Sequence, residues 1–199
     1  QDWYIGSTNM YSGVLKASRE KTHVFNYNNI NSLEKIFKKK KLAAVILEPF
    51  SYELPKDNFL KKIKSLCKKN KTVLIFDEIC TGFRVSKGGA QSIYDVKPDL
   101  TVLGKGMANG YPLSALVGEK KIMKKINKIF FSGTFAGEIS SLYACEATIK
   151  YMIKYNVLDN ILKKGIFLQK ELNKIIKRNN LDKILSFTGH PSWLFLKIE

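Results

Sequence analysis

The sequence predicts an α/β protein built on a mostly parallel sheet with helices on both faces. Three observations predict it. Continuous apolar runs recur at Leu42–Leu47, Thr72–Phe76 and Leu100–Leu103, a length that suits a strand buried on both faces. Between the first two runs lies a stretch whose apolar residues fall at helical spacing. Two of the runs then lead into a residue with chemistry, which is where open α/β sheets build their sites.

The elements follow in order. Leu42-Ala43-Ala44-Val45-Ile46-Leu47 ends on Glu48 and Pro49 and reads as a buried parallel strand. Asn58 to Asn70 reads as a helix with Phe59, Leu60, Ile63 and Leu66 on one face. Thr72–Phe76 is a second strand ending in Asp77-Glu78, and Leu100–Leu103 is a third, followed by Gly104-Lys105-Gly106. Leu113–Val117 reads as a fourth. Helices are predicted from about Glu138 to Tyr155 and from Val157 to Arg178. After them come Ile184-Leu185-Ser186-Phe187, a turn at Gly189-His190-Pro191, and an apolar strand from Trp193 to Ile198. The change of character near residue 160 predicts a large domain over residues 1–160. Residues 161–199 are then a connecting helix and the beginning of a small α+β domain. The chain opens on Gln1 and stops inside a strand-like run, so a piece of a longer polypeptide, truncated at both ends, is expected. There is no internal repeat and no low-complexity linker.

Composition narrows the function classes. Hydrophobic residues make up 45% and charged residues 26% of the 199, an ordinary globular balance. The net charge of +17 invites a polyanion-binding role, but all except Arg19, Arg84 and Arg178 of the 34 basic residues are lysine. Base and phosphate recognition favours arginine. Clusters such as Lys38–Lys41 and Lys61-Lys62 read as solvated helix faces, and no nucleic-acid partner is expected. Cys67, Cys80 and Cys145 are odd in number and lack CxxC spacing, so reduced thiols and a cytoplasmic location are expected. His23 and His190 stand far apart without ligand-like neighbours, so no metal site is expected. No apolar run approaches a membrane span, and neither a membrane-spanning segment nor a signal peptide is expected.

Asp77 and Lys105 carry the chemistry. A carboxylate and an ammonium buried at strand ends are costly unless paired or used. Spacing alone leaves three readings open: a Lys105–Asp77 salt bridge, two residues that reach solvent, or a reactive pair. A Walker-type phosphate loop is excluded, because Gly104-Lys105-Gly106 lacks the upstream glycine spacing and a following Ser or Thr.

The flanking residues carry more. Phe76-Asp77-Glu78-Ile79-Cys80-Thr81-Gly82-Phe83-Arg84, then Gly88-Gly89-Ala90-Gln91, then Pro98-Asp99-Leu100-Thr101-Val102-Leu103-Gly104-Lys105-Gly106 resembles the class III pyridoxal-phosphate aminotransferases. Within them it is most similar to the glutamate-1-semialdehyde 2,1-aminomutase branch. The likeness continues through Gly110-Tyr111-Pro112-Leu113-Ser114-Ala115 and Phe131-Ser132-Gly133-Thr134-Phe135-Ala136-Gly137-Glu138. Asp2-Trp3-Tyr4-Ile5-Gly6-Ser7-Thr8 and Gly189-His190-Pro191-Ser192-Trp193 resemble sugar-type relatives in that branch. The resemblance covers nearly the whole chain, and its most specific feature is the 28-position step from Asp77 to Lys105 with both flanking motifs intact.

The resemblance implies a type I pyridoxal-phosphate transferase large domain, with residues 1–160 binding the cofactor. It implies pyridoxal 5'-phosphate as cofactor and a small-molecule amino or carbonyl substrate. Lys105 would form the Schiff base and shuttle the proton, and Asp77 would keep the pyridine nitrogen protonated. Ile79 would pack on the ring. Thr134, beside Gly133, would reach the phosphate of the neighbouring subunit's cofactor, which implies a homodimer with shared active sites; the other reading of Thr134 is a cap for the helix starting near Glu138. Burial beside the ring is expected to lower the Lys105 pKa towards the neutral amine that a nucleophile needs. Two departures move the substrate away from the aminomutase pattern: Tyr52-Glu53 stands where that enzyme has Gly-Asn, and Ala108-Asn109-Gly110 replaces a triple glycine. Glu53 is either a cofactor contact or a surface carboxylate. The phosphate-cradling loop and the second ring-stacking aromatic would lie before residue 1. The alternatives are a non-catalytic remnant or scaffold of the same fold, and a basic polyanion-binding protein.

Overall fold

The computed structural model describes residues 2–130 and 132–199, so Gln1 and, of the quoted motifs, Phe131 lie outside the described residues. The chain divides into two compact units, residues 1–42 and residues 43–199. The first holds three helices, α1 (Asp2–Ile5), α2 (Lys16–Glu20) and α3 (Ile30–Lys39). Asn29 caps α3, its side chain accepting a hydrogen bond from the Ser32 backbone N–H at 3.2 Å. Leu33 is the buried residue of that helix, and Lys38 and Lys39 fall in its last turn, where they complement the helix dipole.

The second unit is organised by a four-stranded sheet of β1 (Ala44–Leu47), β2 (Val73–Asp77), β3 (Leu100–Leu103) and β4 (Ala115–Gly118), in that spatial order. β1, β2 and β3 run parallel, whereas β4 is antiparallel to β3. The reason is local. A parallel return needs a crossover of a dozen or more residues, and only a short 3-10 turn at Lys105–Met107 and a loop separate β3 from β4. Between β1 and β2 the crossover is α4 (Phe59–Lys69), which buries Phe59, Leu60, Ile63 and Cys67 and packs on β2. Burial of Cys67 pushes its thiol pKa up to about 12, as an inert core thiol requires.

The predicted strands and long helices form nearly where expected; α7 (Ile139–Lys154) and α8 (Val157–Arg178) follow α5 (Gly89–Ile93) and α6 (Lys120–Met123). The chain then closes with an antiparallel hairpin of β5 (Leu185–His190) and β6 (Trp193–Ile198). Here one expectation is corrected. Gly189 and His190 are not turn residues; they pair with Leu194 and Trp193, and the turn is Pro191-Ser192. The strand continues through Gly189 because glycine adopts its φ of +88°, where an added Cβ would sit 2.8 Å from the Trp193 carbonyl oxygen. His190 stacks on buried Phe50 with ring centroids 5.7 Å apart, which holds the strand end in the fold. α8 passes close to the turn at Gly165, where a Cβ would lie 2.0 Å from the Pro191 carbonyl oxygen. Among the described residues, no helix is long and apolar enough to cross a membrane.

Candidate functional site

The sheet register assembles the site. Leu47 pairs with Phe76, so Glu48 and Asp77, the next residue of each strand, stand side by side at the carboxyl ends of β1 and β2. Asp77 in turn pairs with Val102 of β3, three residues before Lys105. Strand alternation turns Val45, Leu47, Leu74 and Phe76 into the core. Glu48 and Asp77 therefore share the other face. Pro49 and Phe50 are fully buried directly after Glu48, which fixes the strand end.

Asp77 is half-buried, and its Oδ1 accepts a hydrogen bond from the Ile79 N–H at 3.1 Å. That bond turns the chain out of the strand and sets Ile79 against Gly104, where a Cβ would lie 3.6 Å from Ile79 Cγ2. Lys105 opens the 3-10 turn with a φ of +43°, an uncommon region for a side-chain-bearing residue. Its Nζ donates to Cys80 Sγ at 2.6 Å. Among the described residues no Lys105–Asp77 ion pair is closed, so the salt-bridge reading does not hold.

The expectation of a buried, neutral Lys105 is corrected as well. Lys105 is exposed, and its pKa is pushed up, first by the hydrogen bond to Cys80, then, against slight burial, by the charges of Cys80, Glu48 and Asp77. The charged amine is therefore the favoured form. Glu48 reaches solvent as a residue, yet partial burial of its carboxyl raises its pKa, the Asp77 charge raises it further, and Lys105 pulls it down. Glu48, Asp77 and Lys105 thus feel one another's charge. Beside them an open cavity of about 510 Å³ is lined by Cys80, Arg84, Lys105, Gly106, Asn109, Gly110 and Trp193. Arg84 Nε donates to the Ser192 carbonyl at 2.7 Å, which ties the β5–β6 turn to this cavity.

Sequence reasoning passed over two residues. One is Glu48, read only as the end of a strand; its register with Asp77 was the missing signal. The other is Glu78, which is fully buried. Its carboxylate accepts from the N–H groups of Ala90 (2.6 Å) and Gln91 (2.9 Å), from Thr81 Oγ1 (2.9 Å) and from Gln91 Nε2 (3.2 Å). Gly89, at φ +70°, makes room for it, since a Cβ there would lie 2.2 Å from Glu78 Oε2. Glu78 therefore anchors the loop that carries Ile79 and Cys80.

The remaining expected residues lie apart. Glu53 is exposed in the loop between β1 and α4. Gly133 and Thr134 sit in an exposed segment before α7, and nothing lies within 4 Å of a Cβ built on Gly133. Thr134 does not cap α7. Glu138 does, its two carboxylate oxygens accepting from the N–H groups of Ser140 (2.8 Å) and Ser141 (2.7 Å). These bonds hold its pKa down at about 2.

A lysine and a carboxylate at adjacent parallel strand ends define a site for amine chemistry on an α/β sheet, and comparison with known proteins gives it a family. The family model "Aminotransferase class-III" matches residues 6–187. The chain is 38% identical over 203 residues to a glutamate-1-semialdehyde 2,1-aminomutase from Wigglesworthia glossinidia brevipalpis, covering 96% of this chain and 46% of that protein. It is 33% identical over 201 residues to a 3-aminobutyryl-CoA aminotransferase from Cloacimonas acidaminovorans, covering 96% of this chain and 48% of that one. Among solved structures, the FumI protein of Sphingopyxis sp. MTA144 superposes with a TM-score of 0.87 at 27% identity, over 94% of this chain and 47% of that one. The chain belongs to the class III aminotransferase family. The expected type I pyridoxal-phosphate transferase fold is borne out. The chain spans about half the length of the curated relatives it matches.

Proposed function

We propose that this chain carries the lysine-bearing part of a pyridoxal-phosphate enzyme that moves amino groups, as an aminotransferase or an aminomutase. One observation carries the reading: the Lys105 amine and the Asp77 carboxylate leave hydrogen-bonded parallel strands at the same end of the sheet. The donor set fits the cofactor. It offers an amine for an aldehyde, a carboxylate for a protonated ring nitrogen, and the aliphatic Ile79 for a flat ring face. When bound, pyridoxal 5'-phosphate supplies an aldehyde that condenses with amines and a ring that accepts electron density. Lys105 would hold it covalently and, once released, carry a proton to and from the substrate carbon. Asp77 would keep a proton on the ring nitrogen by its charge. Gly133 and Thr134 would serve the phosphate site of a second copy, and their exposure supports a homodimer with shared sites. Glu53 remains a candidate contact from its loop. The substrates would be small amino and carbonyl compounds, and three unpaired thiols suit the cytoplasm. We also propose that the small domain begins after residue 160, within α8.

The test is borohydride reduction of the natural-length protein after incubation with pyridoxal phosphate, followed by peptide mapping. Label on the Lys105 peptide is expected. Label confined to other lysines would overturn the reading.

A further inference from the structure

We propose that Cys80 and Lys105 form an oxidisable pair: a peroxide converts the Cys80 thiol to a sulfenic acid, the lysine nitrogen captures the oxidised sulfur, and the resulting sulfur–nitrogen link withholds the amine until a thiol reductant reopens it. The proposal deepens the reading above and rests on Lys105 being the reactive lysine.

Contact is the first support. Lys105 Nζ lies 2.6 Å from Cys80 Sγ, so the amine and the thiol already touch. Access is the second. Cys80 is half-buried and Lys105 exposed, and both line the open cavity of about 510 Å³, which a peroxide can enter. Cys67 is buried on α4 and Cys145 sits on α7, and neither lines that cavity. Rigidity is the third. The Glu78 carboxylate, bonded to Ala90, Gln91 and Thr81, anchors the loop that carries Cys80. Lys105 follows β3 directly after Gly104 and opens the 3-10 turn. Groups held in contact on a fixed frame react as if at very high concentration. The chemistry balances. The thiolate is the form that attacks. Its sulfur takes the near oxygen of the peroxide, the O–O bond breaks, and the departing hydroxide takes a proton from the Lys105 ammonium and leaves as water. Sulfur is oxidised by two electrons and the peroxide is reduced by two. The amine, now neutral, attacks the sulfenic sulfur; the N–S bond forms, the S–O bond breaks, and the hydroxyl leaves as water with one amine hydrogen. Sulfenic acids condense reversibly even with a backbone nitrogen, and an amine is the better nucleophile. A nitrogen bonded to sulfur cannot condense with an aldehyde, so oxidation closes the site.

The experiment reads the link itself. The natural-length protein without cofactor is treated with hydrogen peroxide at about pH 8, where thiols supply thiolate, quenched with catalase and mapped by mass spectrometry. A joined pair of peptides carrying Cys80 and Lys105 is expected, lighter by two hydrogen atoms than the separate thiol and amine, and dithiothreitol should release it. Capture of pyridoxal phosphate by the treated protein, fixed with borohydride, should fall by about tenfold when nine-tenths of the chains are linked, and return with dithiothreitol. In Cys80→Ser the same treatment should leave capture where that variant's untreated sample stands, whereas Cys145→Ser should lose it as the parent does. Peroxide that leaves Cys80 and Lys105 unlinked overturns the proposal, whether Cys80 ends as a free thiol, a sulfinic acid or a disulfide with Cys145. An equal loss of capture in Cys80→Ser also overturns it. Should that variant not fold, the peptide map of the unaltered protein still decides. The map separates this from the functional reading as well. A link in a protein that never captures pyridoxal phosphate fails only that reading, whereas capture at Lys105 with no link fails only the present proposal.

Discussion

Glu78 should be one of the least replaceable side chains in the molecule, although the proposed chemistry never uses it. It is fully buried, and its two carboxylate oxygens receive Thr81 Oγ1 and the Ala90 N–H on one side and the Gln91 N–H and Nε2 on the other. Glu78→Ala leaves two backbone N–H groups with no acceptor. Each unsatisfied buried donor costs about 1–3 kcal/mol, and the vacated volume adds to it. The Thr81 hydroxyl can rotate, and Gln91 Nε2 already reaches Thr101 Oγ1 at 3.3 Å, so neither adds a full penalty. A total of about 4–6 kcal/mol follows, a large share of the ~5–15 kcal/mol that holds a typical domain. Glu78→Gln keeps the volume but turns one acceptor into a donor. Whichever way the amide flips, it faces one backbone N–H, so about 2–3 kcal/mol is expected. Urea unfolding of parent and variants at equal m measures both. A Glu78→Gln variant within about 0.5 kcal/mol of the parent would refute the reasoning, because it would mean the backbone donors have another acceptor.

Other outcomes are expected at the site and around it. Lys105→Ala should abolish turnover and remove the borohydride-reducible label, which mass spectrometry of the reduced protein checks. Asp77→Ala should lower kcat/KM by two to four decades, from about 3–5 kcal/mol for an unpaired buried charge at 1.36 kcal/mol per decade; steady-state kinetics within threefold of the parent would remove Asp77 from the role. Thr134→Ala should weaken cofactor retention by one to two decades, the loss of a charge-assisted bond of about 1.5–3 kcal/mol, without dissociating the dimer, as equilibrium dialysis and sedimentation would show. Glu138 caps α7 with a pKa near 2, below its ordinary 4.5. A depressed carboxylate stabilises above its unfolded pKa and loses that contribution as pH falls through the folded value. The Tm gap between the parent and Glu138→Gln should therefore be full above about pH 4.5 and close towards pH 2.

Much of the fold was legible because burial leaves a mark on neighbouring residues. Leu100–Leu103 and Val157–Arg178 form over the very residues their apolar patterns indicate. What escaped was decided over distance or by single residues. The five residues of α5 begin at Gly89, whose left-handed φ exists to admit Glu78 from eleven positions upstream. No periodicity marks such a helix. The Gly189-His190-Pro191 triplet has turn composition, but a two-residue hairpin places the turn one residue later, and packing of His190 on Phe50 keeps the strand going. Composition showed that a turn was near; partner contacts chose its register.

The site divides along the same line, and that division leads to a last prediction. Lys105 and Asp77 could be named from motif and spacing, because identity is local. The protonation state of Lys105 could not, because it is set by Cys80, Glu48 and Asp77, which converge from two other strand ends. Burial was expected to favour the neutral amine, whereas exposure and three favourable neighbours keep the proton on. Addition to an aldehyde needs the nitrogen lone pair, so the reactive fraction near neutral pH is small. Below the amine's pKa that fraction grows tenfold per pH unit. The initial rate of pyridoxal-phosphate capture by the cofactor-free protein, followed as absorbance growth or borohydride-fixed label, should therefore rise by about tenfold from pH 7 to 8 and again from 8 to 9. Denaturation sets the upper limit of the useful range, so folding is monitored in parallel. A rate that stayed flat from pH 7 to 9 would show Lys105 already neutral there, and the charged-amine assignment would fall.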